Sequence, residues 1–117
     1  MKEVRVILSE DAEEAYRYLN EHASESKIDR SILNSINTKV ELIKANPHYG
    51  KPISKSLIPK EYIENFGVTN LFRVELARYW RMFYTLTDGE STVEIIAFVL
   101  DIIDHKKYDR KFGYKKR

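Results

Sequence analysis

The sequence predicts an α+β fold in which an N-terminal strand and an α-helical hairpin pack on a small, mainly antiparallel, twisted β-sheet. In the first half of the chain apolar residues recur every three or four positions, as in helices with one buried face. In the second half they recur at every second position, as in strands. The pair Asp88-Gly89 between two strand-like segments indicates a hairpin turn. We expect one domain over residues 1–117, because this length suits a single hydrophobic core.

Composition and charge narrow the class of protein. The chain is 43% hydrophobic and 32% charged, which is typical of a globular protein and argues against bulk disorder. It contains no cysteine, which excludes disulfides and thiolate zinc sites. No apolar stretch is long enough for a signal peptide or a transmembrane helix, so we predict a cytoplasmic protein without a membrane partner. Residues 105–117 carry seven basic residues against one Asp, which would attract a polyanion, although a solvated tail would have the same charge.

The N-terminal third predicts one strand and two helices. Alternating apolar residues over 4–8 indicate the strand. Ser9 is a suitable N-cap for the first helix, whose apolar face runs through residues 12–23, because its hydroxyl can accept a hydrogen bond from an unpaired backbone N–H. The second helix is expected over about residues 29–45, ending before Pro47, since the residue before a proline is disfavoured in helical conformation.

The segment 48–70 is the least regular part of the sequence. We expect one helical turn over residues 60–65, ended by Gly67. A connection this long in a small domain is usually functional or poorly ordered. Its residues Lys51 and Lys55 are candidates for contacting a ligand on the sheet, or are ordinary surface lysines.

The C-terminal strands have one face directed at the helices. In the first of them Phe72, Val74 and Leu76 are expected to pack on the helices, and Arg73 and Glu75 to face away.

A tight turn or bulge at residues 78–79 is expected to lead into a strand over 80–87, with Arg81 on the face away from the helices. Residues 93–103 are almost continuously apolar, which predicts a strand buried on both faces.

Pairing of these strands would bring polar side chains together at one end of the sheet. If the last two strands form a hairpin, Arg81 lies near His105, with Arg73 and Glu75 one strand away and Tyr108 close by. Cleavage of RNA by its own 2′-hydroxyl needs a base for that proton, cations for the phosphorane charge and an acid for the leaving oxygen. It also gains from aromatic rings that stack on bases. The residue types present can fill all of these roles.

Each of these residues also has a structural interpretation. His105 is consistent with a surface or hydrogen-bonded histidine, and Arg81 with a cation stacked on a neighbouring aromatic ring. Tyr108 can cover the end of the core, and Glu75 can pair with an arginine on the sheet surface. The histidines have no metal-ligand spacing, and we expect neither a metal nor a small-molecule cofactor.

The sequence resembles the RelE/ParE superfamily of type II toxin–antitoxin toxins, and more closely its RelE-like branch, with the element order β-α-α-β-β-β. The resemblance covers nearly the whole chain. It rests on Asn46-Pro47 followed by Gly50-Lys51-Pro52, on Leu71-Phe72-Arg73-Val74-Glu75-Leu76, on Trp80-Arg81-Met82-Phe83-Tyr84, and on Asp104-His105-Lys106-Lys107-Tyr108-Asp109-Arg110.

The resemblance implies a metal-independent, ribosome-dependent mRNA endonuclease that is held inactive by a cognate antitoxin protein. It also implies residue roles. Arg81 matches an arginine that contacts the scissile phosphate, Arg73 a basic position one strand earlier, and His105 a late basic residue that acts as an acid or phosphate ligand. Tyr108 matches a C-terminal tyrosine. Glu75 departs from the pattern, since several members have lysine there, so either Glu75 or Tyr108 supplies the base, or the chemistry is impaired.

The basic residues around this constellation are expected to bind RNA on the ribosome. They are Lys51, Lys55, Lys106, Lys107, Arg110 and Lys111. Two other functions remain open: a ParE-like inhibitor of DNA gyrase, and a non-catalytic protein of the same fold that only binds an antitoxin or another partner.

Overall fold

The computed structural model of the chain describes residues 3–89 and 94–113. The strands are β1 (Glu3–Leu8), β2 (Lys51–Pro52), β3 (Phe72–Glu75), β4 (Arg81–Asp88) and β5 (Glu94–Ile103). The α-helices are α1 (Glu10–His22), α2 (Lys27–Ala45), α3 (Lys60–Phe66) and α4 (His105–Phe112). Short 3₁₀ turns span Lys55–Leu57 and Ala77–Tyr79.

The five strands form one sheet in the order β1-β5-β4-β3-β2. Only the pairing of β1 with β5 is parallel among the described strands, and the other three pairings are antiparallel. The predicted α+β fold, with an N-terminal strand and a helical hairpin on a mainly antiparallel sheet, is confirmed. The last strand was expected to begin at residue 93, which lies outside the described residues.

The helices of the N-terminal hairpin begin at serine caps. Ser9 Oγ accepts a hydrogen bond from the Ala12 amide at 3.1 Å and donates one to the Leu100 carbonyl at 2.7 Å, so it also ties the start of α1 to β5. Ser26 Oγ accepts from the Asp29 amide, and α2 therefore begins two residues earlier than expected.

The helical hairpin packs on one face of the sheet, as predicted from the two periodicities. Buried contributors from the helices and the sheet include Leu19, Ile32, Ile36, Ile43, Val74, Met82, Tyr84 and Val99. Phe72, Val74 and Leu76 all belong to this core, which confirms the side of β3 that faces the helices.

The face of the sheet away from the helical hairpin is covered as well. A second core lies there, formed by Ile58, Tyr62, Val68, Leu71, Phe83, Leu100, Ile103 and Tyr108. Helices α3 and α4 supply Tyr62 and Tyr108 to it, and Phe83 of β4 is fully buried beneath them. β5 contributes to both cores and is therefore buried on both faces, as predicted.

The basic segment after β5 forms a helix rather than a tail over its described part. Asp104 Oδ1 accepts a hydrogen bond from the Lys107 amide and caps α4. Tyr108 and Phe112, four residues apart, place their rings on Phe83, with centroid distances of 5.8 and 4.6 Å. Gly113 ends the helix with a φ of 74°.

The loop after α2 is attached to the sheet through Tyr84. The Tyr84 hydroxyl accepts a hydrogen bond from the Gly50 amide at 2.9 Å and donates one to the Pro47 carbonyl at 2.7 Å. A Cβ at Gly50 would lie 2.9 Å from the Tyr84 ring, so the close approach requires glycine. Farther along, α3 ends at Gly67, whose φ is 63°, as expected from the sequence.

No helix within residues 3–89 and 94–113 is both long and apolar enough to cross a membrane.

Candidate functional site

Three strand ends meet where the predicted site residues lie. Arg81 begins β4 and lies opposite Glu75 at the end of β3 and Ile103 at the end of β5. β5 is followed directly by Asp104 and then by His105, the first residue of α4. The predicted hairpin pairing, which puts Arg81 at the same end of the sheet as the residues that follow β5, is confirmed by this register.

Tyr108 lies at the centre of this end of the sheet and contacts both arginines. Its hydroxyl accepts a hydrogen bond from Arg73 Nη1 at 3.0 Å, and the guanidinium carbon of Arg81 lies 4.9 Å from its ring centroid. Tyr108 is only 7% exposed. Two positive charges are thus held beside one buried aromatic ring, an arrangement to which cation–π attraction contributes.

Both arginines retain hydrogen-bonding capacity. Arg81 Nη1 donates to the Tyr79 carbonyl at 2.7 Å, and Arg73 Nη2 lies 3.6 Å from the Glu75 carboxylate. In the part of the chain that the structure describes, the Nε–H groups of Arg73 and Arg81 have no acceptor, but both nitrogens are buried, so a ligand would be bound through the Nη atoms. A guanidinium has five N–H donors in a planar fork that matches phosphate oxygens. The pair is therefore suited to binding an anionic phosphate.

Glu75 lies at the edge of this arrangement. Its side chain is 66% exposed and contacts Arg73 only at the 3.6 Å separation of a loose surface ion pair. Because Arg81 lies directly opposite on β4, the carboxylate is next to the place where a phosphate would contact both arginines. Glu75 is the acidic residue of the predicted site that a substrate can reach.

His105 lies beside this cluster, on the side of the turn between β3 and β4. Its Nε2 is 3.3 Å from Asp109 Oδ2, and its ring centroid is 6.3 Å from that of Tyr79. Because Tyr79 also accepts the hydrogen bond from Arg81, the histidine is connected to the arginine through this one residue. Within the described residues, no group of three or more His, Cys, Asp or Glu side chains could hold a metal ion.

Two of the predicted RNA-binding lysines flank the cluster. Lys51 pairs with Arg73 across β2 and β3, and both residues line a cleft of about 340 Å³ with Glu75. Lys106 is exposed and lines a second cleft with His105. Lys55 is exposed in the 3₁₀ turn after β2.

The remaining basic residues of α4 lie on a different side of the helix. Lys107, Arg110 and Lys111 line a groove of about 930 Å³ between α1 and α4, whose other wall includes Asp11 and Glu14. The carboxylates of α1 oppose the approach of a phosphate backbone to this groove. The structure therefore does not bring these three residues together with Arg73 and Arg81.

Lys111 belongs to a buried polar network that joins α4 to β5 and α3. Its Nζ donates to Asp101 Oδ2 at 2.8 Å and to Glu61 Oε2 at 3.2 Å. The Tyr62 hydroxyl donates to the same Asp101 oxygen at 2.7 Å. Asp101 is 6% exposed; Lys111 compensates its charge, and the Tyr62 hydroxyl gives it a second hydrogen bond.

The titration of the network follows from its burial and charges. Burial raises the pKa of Tyr62 well above its usual range, and the charge and hydrogen bond of Asp101 raise it further. For Lys111, burial lowers the pKa, but the hydrogen bonds and negative charges of Asp101 and Glu61 outweigh it and the pKa is raised.

The sequence patterns did not point to this network, although one signal was present. Asp101 is the only charged residue between Ile95 and Ile103 in a strand that is otherwise apolar. A carboxylate in such a position is rarely buried without a partner.

The order of the sheet and the helical hairpin beside it define a RelE/ParE-like fold. A solved structure with this fold is that of the YoeB/ParE toxin from Agrobacterium tumefaciens, with a TM-score of 0.57 and 15% sequence identity. The similarity covers 90% of this chain and 99% of that one. No protein-family model and no curated protein sequence matches the chain.

Proposed function

We propose that this chain is the toxin of a type II toxin–antitoxin system and a cytoplasmic mRNA endonuclease that acts on the ribosome without a metal. The observation that carries the proposal is the convergence of Arg73 and Arg81 on Tyr108. It is supported by the RelE/ParE-like fold and by its likeness to a protein described as a YoeB/ParE toxin.

The two arginines would bind the scissile phosphate. Their guanidinium groups are fixed by Tyr108 and by the carbonyl of Tyr79 before substrate arrives, so little reorganisation is needed when charge builds up on the phosphorane. Tyr108 then serves as the support that holds both cations at the same place.

Proton transfer would involve Glu75 and His105. The exposed Glu75 carboxylate takes the proton of the 2′-hydroxyl, whose oxygen attacks the phosphorus. His105, whose Nε2 lies 3.3 Å from Asp109 Oδ2, gives a proton to the departing 5′-oxygen. The P–O5′ bond breaks as the P–O2′ bond forms, which leaves a 2′,3′-cyclic phosphate and a 5′-hydroxyl.

An antitoxin partner would have to cover a basic site and apolar surface. Ile28 and Leu42 on α2 are exposed, and the site itself is cationic. A small acidic protein encoded by a neighbouring gene suits both surfaces. Its co-expression is expected to restore the growth of cells that make this chain.

The test compares the wild-type chain with Arg81→Ala on translating ribosomes. We expect wild type to stop growth and cut mRNA, and Arg81→Ala to cut about 10²–10³-fold more slowly, because a fixed donor to the developing charge is removed. Arg17→Ala is the matched control, since Arg17 lies on α1 and pairs with Glu13.

Two results would overturn the endonuclease. Growth inhibition without mRNA cleavage, unchanged in Arg81→Ala and accompanied by loss of DNA gyrase activity, would indicate a ParE-like inhibitor. Absence of both growth inhibition and cleavage, with an antitoxin still bound, would indicate a non-catalytic protein of this fold.

A further inference from the structure

The turn between β3 and β4 has an unfavourable backbone conformation. The Trp80 amide donates to the Ala77 carbonyl at 3.2 Å, which closes a turn with Arg78 and Tyr79 at its centre. Both central residues have positive φ, 60° and 65°. Turns of this geometry favour Asn and Gly, because a bulky side chain at positive φ clashes with the backbone.

The Tyr79 side chain makes little contribution to packing. Tyr79 is 75% exposed, the highest value among the large hydrophobic residues that the structure describes as exposed. Its one described ring contact is the tilted approach to His105, at 6.3 Å between centroids. The backbone of Tyr79, by contrast, holds the Arg81 guanidinium through its carbonyl. A strained residue that exposes an aromatic ring beside a site suggests a role in that site.

The surroundings of the ring are cationic. A cleft of about 470 Å³ is lined by Arg78, Tyr79, Asp104, His105 and Lys106. Asp104 uses Oδ1 to cap α4, and His105 is paired with Asp109. The cleft thus combines exposed positive charge for a phosphate backbone with an aromatic face on which a base can stack.

We propose that Tyr79, with His105 beside it, is the stacking platform for the nucleobase adjacent to the phosphate bound by Arg81. The proposal deepens the proposed function, on which it rests, by assigning a base-binding subsite of single-stranded RNA. Stacking on an aromatic ring tolerates any base, so the platform contributes affinity and position rather than base identity.

The test measures base stacking separately from cleavage. The probe is a short RNA with 2′-O-methyl sugars, which have no 2′-hydroxyl to attack, and with one 2-aminopurine, whose fluorescence is quenched on stacking. We expect wild type to bind and quench it. Tyr79→Ala should bind about tenfold more weakly and without quenching, and Tyr79→Phe, which keeps the ring, should behave as wild type.

A matched control is available on α1. Tyr18 is also exposed and also lies beside a histidine: its ring is stacked on that of His22, with centroids 4.0 Å apart. Tyr18→Ala is expected to bind and quench as wild type does.

The outcomes separate the platform from the nuclease. Quenching that depends on Tyr79, together with no mRNA cleavage by wild type, would support the platform and overturn the nuclease. Cleavage and quenching that Tyr79→Ala leaves unchanged would overturn the platform alone. Absence of quenching by wild type would overturn it too, as would a Tyr79→Ala variant that loses only antitoxin binding, which would make this surface a protein contact.

Discussion

At the scale of single residues, the site depends on how Tyr108 is held. Its ring packs on Phe83 and under Arg81, and its hydroxyl is occupied by Arg73. A buried hydroxyl that already accepts from a guanidinium is poorly placed to receive a proton from substrate. The accessible Glu75 carboxylate is better placed, although the sequence leaves both residues open as the base.

Paired substitutions separate the two candidates for the base. We expect Glu75→Gln to lower mRNA cleavage about 10²–10⁴-fold with unchanged stability, because it removes the base from an exposed position. Tyr108→Phe should have the smaller effect on cleavage and destabilise the protein by about 1 kcal/mol, the net value of one hydrogen bond. Single-turnover cleavage and urea unfolding measure both quantities, with Glu64→Gln as the control. The opposite ranking of the two cleavage rates would assign the base to Tyr108.

The strained turn gives a second prediction at this scale. Tyr79→Gly is expected to stabilise the protein by about 1 kcal/mol, because glycine adopts positive φ without the clash that a tyrosine has there. Cleavage should fall in the same variant, since the ring is lost. Urea unfolding and cleavage assays check the two effects, and Tyr79→Phe should change neither. A loss of stability in Tyr79→Gly would show that the ring is structural.

At the scale of elements, the site depends on α4, because this helix carries Tyr108. This helix has only eight residues, too few to be stable alone, so it depends on what it packs against. Its aromatic residues pack on Phe83, and Lys111 bonds to Asp101 of β5. Tyr108 is presented to the arginines only while both attachments persist.

Breaking the ion pair should loosen α4. We expect Lys111→Met to destabilise the protein by about 2–4 kcal/mol, because the Asp101 carboxylate loses its cation while buried. The double variant Asp101→Asn/Lys111→Met should recover much of that stability, since Asn can still accept from Tyr62. Urea unfolding of the three variants measures the coupling, with Lys44→Met as the exposed control. Equal stability of Lys111→Met and the double variant would show that the unpaired Asp101 carboxylate is not the cause of the loss.

The same network predicts loss of stability at alkaline pH. The unfolded state releases the Tyr62 proton near pH 10.0 and the Lys111 proton near pH 10.5, whereas the folded state keeps both to higher pH. The unfolded state then binds fewer protons, so the free energy of unfolding falls as pH rises through this range and is unaffected below it. Urea midpoints between about pH 8 and pH 11 should show this slope.

Tyr62→Phe is expected to make the slope shallower, and Tyr18→Phe, at an exposed position, to leave it unchanged. A slope that Tyr62→Phe does not alter would exclude Tyr62 as a source.

At the scale of the whole molecule, positive charge is divided between two surfaces. Lys51 lines a cleft with Arg73, and Lys106 lines one with Tyr79 and His105, whereas Lys107 and Arg110 face the acidic residues of α1. A net charge of +2 conceals this division. RNA is expected to follow the first surface and avoid the second.

Salt dependence tests this division. The slope of log affinity against log salt for a single-stranded RNA should decrease by about 0.7 on Lys51→Ala, which removes one phosphate contact. Arg110→Ala should leave the slope nearly unchanged. The 2′-O-methyl probe, titrated over a series of KCl concentrations, provides the measurement. A smaller slope in Arg110→Ala than in Lys51→Ala would place RNA in the groove between α1 and α4.

The fold was largely predictable because its signals are local. Periodicity located the helices and strands, Ser9 and Gly67 marked helix ends, and the pairing of the last strands followed from their adjacency along the chain. The helix α4 was not predicted. Its capping residue Asp104 and its Gly113 are present in the sequence. The segment between them is short and mostly basic, so it has little apolar periodicity, and the helix is stabilised by packing.

By itself, the sequence determined the types of β1, α1, α2, β3, β4 and β5, the face of β3 that packs on the helices, and the presence of arginines, a histidine, a carboxylate and a tyrosine near one sheet end. Only the tertiary structure decided how each charge is used. Lys111 neutralises the buried Asp101, whereas Arg73 and Arg81 converge on Tyr108. The physical reason is that a charged side chain is neutralised only by a partner within a few ångströms. Folding sets that distance between residues that are far apart in the sequence.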